Sequence, residues 1–203
     1  MPKKLTEQGS QRRAQLLDCA AELFSTRGYD QTRVIDICEA AGVAKGLFYW
    51  YFENKDALFS QLVTSMRQDL RRAQGTAIDP RADPITRLRQ GIRASLEFMA
   101  EHGNYFRFLD VEISDARVRA LLRDGNEVYV TDAARIIRAG IDAGLIVDED
   151  PMVLAFGVVS GVNSFGAAYR AGRLDLDLEG VIKVTGDWVE RAVSPIPIRA
   201  SAP

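Results

Sequence analysis

The apolar residues of this chain recur at helical spacing along almost its whole length, and glycine or proline marks the ends of the segments. Apolar residues three and four positions apart line one face of an α-helix. No stretch alternates convincingly between apolar and polar residues, as a half-buried strand would. The pattern predicts an all-α fold of about nine helices. The expected helices cover residues 11–27, 33–41, 45–51, 55–74, 84–102, 104–114, 117–143, 151–171 and 178–193.

The ends of several helices carry recognisable capping residues. Thr32 and Asn54 are expected to be N-caps, because short polar side chains accept hydrogen bonds from the first helical N–H groups. Asp83-Pro84 and Asp150-Pro151 predict two further helix starts, since proline is tolerated at the first helical position.

The stretch from Gly75 to Asp83 has few apolar residues and predicts a domain boundary, so the expected domains are residues 1–75 and 76–203. Residues 1–75 carry 11 Lys and Arg against 9 Asp and Glu, whereas the remainder carries 15 against 19. A basic N-terminal domain would be attracted to nucleic-acid phosphates, and an acidic remainder would be repelled from them.

The sequence predicts a cytoplasmic protein without a membrane segment. Its N-terminus lacks the apolar run of a signal peptide, and no run of about 18 uninterrupted apolar residues occurs. The two cysteines, Cys19 and Cys38, lie in amphipathic segments and are expected to be reduced thiols.

Two short helices joined by the turn Ala41–Ala44 follow a longer first helix, which is typical of a DNA-binding helix-turn-helix. The motif is expected at about residues 33–52. On its second helix Phe48 and Phe52 are 40° apart at 100° per residue and should point into the core. The alternative is a well-packed helical hairpin with no DNA-binding role. The residues left facing outward or flanking that face are Gly46, Leu47, Tyr49, Trp50 and Tyr51.

The N-terminal segment resembles the signature of the TetR family of bacterial regulators over about residues 10–70. The resemblance implies a homodimer whose two recognition helices enter successive major grooves of a palindromic operator. It further implies that a ligand in the C-terminal domain alters their separation. The matching residues are Gly28-Tyr29, Thr32, Asp36-Ile37-Cys38, Ala41-Gly42-Val43, Lys45-Gly46-Leu47-Phe48-Tyr49, Phe52, Lys55 and Leu58.

The resemblance also implies roles for individual residues. Thr32 and Arg33 would contact phosphate at the start of the second helix, and Lys55 would anchor phosphate. The sequence departs from the family pattern at Ala44, where a capping serine is usual, and at Cys38, where alanine is usual. It also departs at Leu47, where a small hydroxylated residue is frequent. The reading helix would present Lys45, Gly46, Leu47, Tyr49, Trp50 and Tyr51.

Small residues recur every three or four positions in the helix expected at 151–171, which permits close approach of another helix. With the last helix, this segment resembles the two-helix face that family members pair into a four-helix dimer bundle. The alternative is packing within one chain. The candidate interface residues are Gly157, Gly161, Ser164, Phe165 and Trp188.

Aromatic residues cluster around the single histidine and are candidates to line a pocket for a small apolar effector. Core packing is the alternative for each, and His102 is also placed to cap a helix C-terminus. The candidate ligand residues are Phe98, His102, Tyr105, Phe106, Glu112, Tyr129 and Asn163.

The sequence therefore predicts a sequence-specific DNA-binding repressor, released from a palindromic operator by a small, largely apolar ligand. A regulator controlled by a protein partner, or by no effector, is the main alternative. A small all-α enzyme is a remote one, because the histidine has no recognisable nucleophile near it and Asp110, Glu112 and Asp115 lack metal-ligand spacing. No catalytic residue, metal or cofactor is expected.

Overall fold

The computed structural model describes residues 7–110 and 116–195, with side chains described for 7–107 and 127–195. These residues form nine α-helices and no strand, which confirms the all-α prediction. The helices are α1 (Glu7–Arg27), α2 (Val34–Ala40), α3 (Lys45–Tyr51), α4 (Lys55–Ala77), α5 (Pro84–Glu101), α6 (Gly103–Asp110), α7 (Ala116–Asp142), α8 (Pro151–Arg170) and α9 (Leu178–Val193).

Three of the expected helix starts have the capping hydrogen bonds that the sequence predicts. Asn54 Oδ1 accepts from the N–H of Ala57 at 2.8 Å. Asp83 Oδ1 accepts from two N–H groups at the start of α5, each at 3.0 Å. Asp150 Oδ1 accepts from the N–H of Met152 at 2.7 Å. These local signals were sufficient because each involves residues two or three positions apart.

Other helix ends differ from expectation. α1 begins at Glu7, four residues before the predicted start. α4 continues through Gly75 to Ala77, so the predicted boundary segment is helical in its first part. A surface glycine in a long helix costs only about 1 kcal/mol, which packing elsewhere along the helix offsets.

The chain divides into two compact units. The first takes in the described residues up to Gln68 and those between His102 and Leu121, and in it α6 packs against α1. Its core is formed by fully buried aromatic and aliphatic side chains of α1 to α4. The division into functional domains at residues 75 and 76 stays a prediction. The largest buried side chains of this unit are Leu16, Phe24, Ile37, Phe48, Phe52, Leu58 and Phe59.

The second unit comprises Asp69–Glu101 and the described residues from Leu122 onward, with α9 packed against both α5 and α8. Arg89 of α5 lies over Gly186 of α9 and forms ion pairs with Asp187 and Glu190. Hydrogen bonds from Lys183 and Arg89 hold the pKa of Asp187 at about 2. These contacts fix α9 on α5 because they join groups about 100 residues apart in sequence.

Candidate nucleic-acid interface

The turn between α2 and α3 sets the direction of the expected reading helix. Gly42 adopts φ +62°, a left-handed conformation that a residue with a side chain rarely takes. Its N–H donates to Glu39 O at 3.1 Å, and the N–H of Val43 donates to Cys38 O at 3.0 Å. Gln15 of α1 donates from Nε2 to Ala41 O at 3.1 Å, so α1 holds the turn in place.

α3 has the inward and outward faces that the sequence predicts. Phe48 and Phe52 are 0% and 1% exposed, with ring centroids 5.5 Å apart. Tyr49 and Trp50 are 50% and 56% exposed. An exposed tryptophan and tyrosine side by side on a seven-residue helix leave apolar surface that is available to a partner.

The exposed side chains of α3 contact one another. Lys45 Nζ lies 5.8 Å from the centroid of the Tyr49 ring. The rings of Trp50 and Tyr51 meet edge to face, with centroids 4.6 Å apart. These contacts limit the rotamers of the aromatic side chains before any partner binds, which lowers the entropy cost of ordering them on a partner.

Two further positions shape the same face of α3. Leu47 is half-buried, and Gly46 is exposed with nothing within 4 Å of a β-carbon built on it. Ala44 at the N-cap makes no side-chain capping bond. The absence of that bond follows from the alanine, which has no oxygen to offer the first turn.

The expected phosphate contact of the Thr32 side chain is wrong, because Thr32 is 0% exposed. Its hydroxyl donates to Gly28 O at 2.8 Å, across the turn between α1 and α2. Thr32 is not the N-cap of α2 either, since that position belongs to Arg33. The hydroxyl closes the preceding turn, and α2 starts one residue later than expected, after Arg33.

Arg33 and Asp36 form a closed pair at the start of α2. The Arg33 N–H donates to Asp36 Oδ2 at 2.8 Å, and the guanidinium donates to both carboxylate oxygens, at 3.1 and 2.9 Å. These bonds hold the pKa of Asp36 at about 2. The Arg33 side chain is 75% exposed, so a phosphate contact by Arg33 stays a prediction.

Lys55 has a structural role that the sequence did not reveal. Its ammonium donates to the carbonyl oxygens of Tyr29 and Thr32 at 2.7 and 2.9 Å. It also lies 4.1 Å from the centroid of the Tyr29 ring. The neighbouring Asp56 accepts a hydrogen bond from the Tyr29 hydroxyl. These contacts attach the turn between α1 and α2 to the start of α4. In the sequence, the available sign of this role was that Tyr29, Thr32 and Lys55 all belong to the residues that match the family signature.

The candidate dimer residues lie on α8 and α9 and have different surroundings. Gly157 and Ser164 are exposed, and nothing lies within 4 Å of a β-carbon built on Gly157. A β-carbon on Gly161 would overlap the ring of Trp188. Trp188 also packs edge to face on Phe165, with centroids 5.8 Å apart. Gly161 therefore makes room for a side chain of its own chain, and its place in a dimer interface stays a prediction.

The candidate ligand residues divide between the two units. In the first unit, Tyr105 is 5% exposed, and its ring meets that of Phe106 edge to face at 5.1 Å. His102 is half-buried. In the second unit, Phe98 is 7% exposed, whereas Tyr129 and Asn163 are half-buried. Glu112 lies outside the described residues.

One cavity of about 580 Å³ lies in the second unit, at the C-terminal end of α7. It is lined by Arg138, Asp142, Asp148 and Pro195, among others, and by none of the seven candidate ligand residues. Its lining is mixed, because one arginine and two aspartates stand beside Ile141, Ile146 and Val147, and it is not the aromatic pocket that the sequence predicts.

Comparison with known proteins finds a matching family model for both parts of the chain. Residues 16–62 match the family model of the bacterial regulatory proteins of the tetR family, and residues 81–175 match a tetracyclin repressor-like C-terminal domain. The repressor DhaR of a Mycobacterium species is 32% identical over 66% of this chain and 69% of its own length. The regulator TtgR of Pseudomonas putida is 37% identical, but the match covers only 32% of its length.

Solved structures share the fold over nearly the whole chain. A TetR-family regulator from Syntrophomonas wolfei superposes with a TM-score of 0.81 at 20% identity, covering 94% of this chain and 99% of that one. The regulator FadR of Bacillus subtilis, solved in complex with stearoyl-CoA, gives a TM-score of 0.78 at 22% identity, covering 89% and 98%.

Three observations lead to the same conclusion about the family. They are the helix-turn-helix, the exposed aromatic face of α3 and the matches to both parts of the chain. The chain belongs to the TetR family of bacterial regulatory proteins and is a DNA-binding transcriptional regulator.

Proposed function

We propose that the protein is a dimeric cytoplasmic repressor that binds a palindromic operator through α3 and leaves it when a small, largely apolar ligand binds. The observation that carries the DNA-binding part is the exposed pair Tyr49 and Trp50 beside Lys45, on a helix held by the turn at Gly42. Repression is supported by the relative DhaR, which is named as a transcriptional repressor.

The partner proposed for α8 is a second copy of the chain. α8 is long and apolar enough to cross a membrane by length and composition, yet only 22% of its apolar stretch is buried within the chain. Met152, Val153 and Phe156 are 47%, 68% and 66% exposed. Trp188 of α9 is 38% exposed as well. Exposed apolar side chains of this kind are what obligate dimers cover.

A membrane is the less favoured partner for α8. One helix of this composition is weak support for a membrane span. The carboxylate of Asp150 also caps the first turn of the helix, and the other side of α8 packs on α5 and α9. A two-fold axis beside α8 would bury the exposed apolar side chains of both copies without exposing the buried side.

The effector is proposed to be mostly apolar. Five of the seven candidate residues, Phe98, Tyr105, Phe106, His102 and Tyr129, carry rings, and Glu112 and Asn163 add polar groups. FadR of Bacillus subtilis, which shares the fold, was solved with stearoyl-CoA. A long-chain acyl thioester is therefore a reasonable first probe. Control by a protein partner, or by no effector, is the alternative.

A selection from a randomised duplex library with the full-length protein tests the DNA-binding part. We expect enrichment of a palindrome with two half-sites about one helical turn apart, roughly 34–36 Å centre to centre. Failure to enrich any duplex, with the protein shown to be folded by circular dichroism, would contradict the proposal.

Thermal unfolding with stearoyl-CoA and with free stearate tests the effector. A ligand at 100 times its dissociation constant stabilises the folded protein by about 2.7 kcal/mol. By linkage, a releasing ligand weakens operator affinity by a coupling of roughly 1–3 kcal/mol, and operator weakens its binding equally. If neither probe nor a broader set of apolar compounds shifts unfolding, regulation by a protein partner or without an effector becomes the preferred reading.

A further inference from the structure

The reading helix has almost no side chain that hydrogen-bonds to base edges. Between Lys45 and Tyr51 there is no Arg, Asn, Gln, Ser, Thr, Asp or Glu. Arg and Lys read guanine, and Asn and Gln read adenine, by paired hydrogen bonds in the major groove. Lys45 is the only member of that set in α3. Direct reading of bases by hydrogen bonds is therefore confined to one ammonium and the aromatic O–H and N–H groups.

Lys45 is poorly suited to carry the specificity by itself. Its ammonium lies 5.8 Å from the Tyr49 ring centroid at the first residue of α3, at one end of the exposed face. An ammonium is a point charge with rotatable donors, without the rigid fork that makes paired recognition selective. Arg33, the N-cap of α2, has such a fork, but its Nε and Nη2 groups donate to Asp36, and its remaining donors are those proposed for a phosphate.

What α3 does present to a partner is apolar surface. Trp50 is 56% exposed, and Leu47 is half-buried one turn before it, on the same side. Gly46 adds no side chain, and a β-carbon built there would have nothing within 4 Å. The backbone of α3 can thus approach the floor of the groove, bringing Leu47 and Trp50 against the bases.

The apolar group that base pairs present in the major groove is the C5-methyl of thymine. We infer that this protein selects its operator through thymine methyl groups packed against Leu47 and Trp50. The inference rests on the proposed operator binding by α3 and adds to it the chemical group that is recognised. The specificity for the operator should therefore depend on the methyl groups of its thymines more than on the hydrogen-bond donors and acceptors of its base edges.

Methyl deletion in the DNA tests this directly. The probe is a duplex enriched from the randomised library by the full-length protein, with each thymine of the half-sites replaced in turn by deoxyuridine. Base pairing is kept and one methyl is lost. We expect at least one thymine in each half-site whose replacement weakens binding about fourfold, the equivalent of one buried carbon group. Deoxyuridine outside the half-sites is the control and should leave affinity unchanged.

Methyl addition provides the converse arm. At a sensitive position, replacing the T·A pair by C·G removes the methyl and changes the donor pattern. With 5-methylcytosine in place of that cytosine, the methyl returns while the altered pattern stays. We expect 5-methylcytosine to recover about two- to fourfold in affinity over cytosine, since it restores the apolar contact alone.

Protein variants assign the contacts. Leu47→Ala and Trp50→Ala should each bind the thymine duplex more weakly and lose the deoxyuridine effect at one position while keeping it at another. Trp50 is exposed, so Trp50→Ala is expected to fold even if Leu47→Ala does not, and circular dichroism checks both.

The outcomes separate the two proposals. Specific binding that tolerates deoxyuridine at every thymine overturns the methyl inference and leaves operator binding standing. A deoxyuridine effect that persists unchanged in both variants overturns the assignment to Leu47 and Trp50. Absence of any enriched duplex overturns operator binding and the methyl inference together.

Discussion

The ammonium of Lys55 donates a hydrogen bond to the backbone carbonyl oxygen of Thr32, at 2.9 Å. It makes a second bond to Tyr29 O, so that α4 is attached to the turn between α1 and α2. The family resemblance implies that Lys55 anchors phosphate. The contacts lead to a different expectation.

Lys55→Met should lower the free energy of unfolding by about 1–3 kcal/mol, because two backbone carbonyls lose a charged donor. Thermal or urea unfolding measures the effect. Lys45→Met is the matched control, since Lys45 is exposed and should change stability by no more than about 0.5 kcal/mol. If Lys55→Met unfolds like the wild type and instead lowers the salt slope of DNA binding by about one, Lys55 is a phosphate contact after all.

Trp50→Ala should weaken operator binding by about 1–3 kcal/mol without affecting the fold, because the ring is exposed and absent from the core. Tyr49→Phe should lose part of that through one hydroxyl contact to the DNA backbone. Fluorescence anisotropy with operator and scrambled duplexes gives both values. Operator affinity equal to wild type for a folded Trp50→Ala would place the recognition face elsewhere on the helix.

Phe156→Arg should convert the dimer to a monomer, because it places a charge on a side chain that is 66% exposed in the single chain and proposed to be buried between copies. Sedimentation at micromolar concentration measures the change. Val128→Arg, an exposed apolar residue of α7 outside that face, should remain dimeric. A monomeric wild type, or a dimer of unchanged affinity in Phe156→Arg, would show that the interface is misplaced.

Gly161→Ala should destabilise the folded chain by about 1–3 kcal/mol, because the new methyl overlaps the Trp188 ring and a packed indole cannot move freely. Gly157→Ala, four residues earlier on α8, meets nothing within 4 Å in its own chain and should be neutral or stabilising there, by up to about 1 kcal/mol. Unfolding is best compared in the Phe156→Arg background, where a partner helix does not contribute. Equal stability of the two alanine variants would contradict the packing described for Trp188.

The Arg33–Asp36 pair should make stability depend on pH in the acid range. Hydrogen bonds hold the pKa of Asp36 at about 2 in the folded protein, below its ordinary value of 3.8. A lowered carboxyl pKa stabilises the fold above the ordinary value, and that stabilisation is lost as the pH falls from about 4 towards 2. The difference in Tm between wild type and Asp36→Asn should be constant above pH 4 and shrink below it. A difference that stays constant down to pH 2 would contradict this account of the pair.

Much of the local structure could be predicted from the sequence. The residues of α3, the burial of Phe48 and Phe52, and the exposure of Trp50 follow from spacing along one helix. The caps at Asp83 and Asp150 follow from residues two or three positions apart. Such features depend on contacts and spacing within a few residues of the chain. The sequence pattern is therefore sufficient to predict them.

Only the tertiary structure determined which polar residues are already hydrogen-bonded within the chain and which small residues already contact another helix. Thr32 has the chemistry of an N-cap, but its hydroxyl donates to the carbonyl of Gly28 once the turn has formed, and Arg33 takes the N-cap position of α2. Lys55 finds its acceptors 23 and 26 residues away, and Gly161 meets Trp188 on another helix. Periodicity says which face of a helix is buried, but not which residue of another element faces it. The identity of the facing residue depends on how the helices pack. A buried polar group bonds to the partner that packing brings near it, and the space beside a small residue is filled by the side chain that packing brings there.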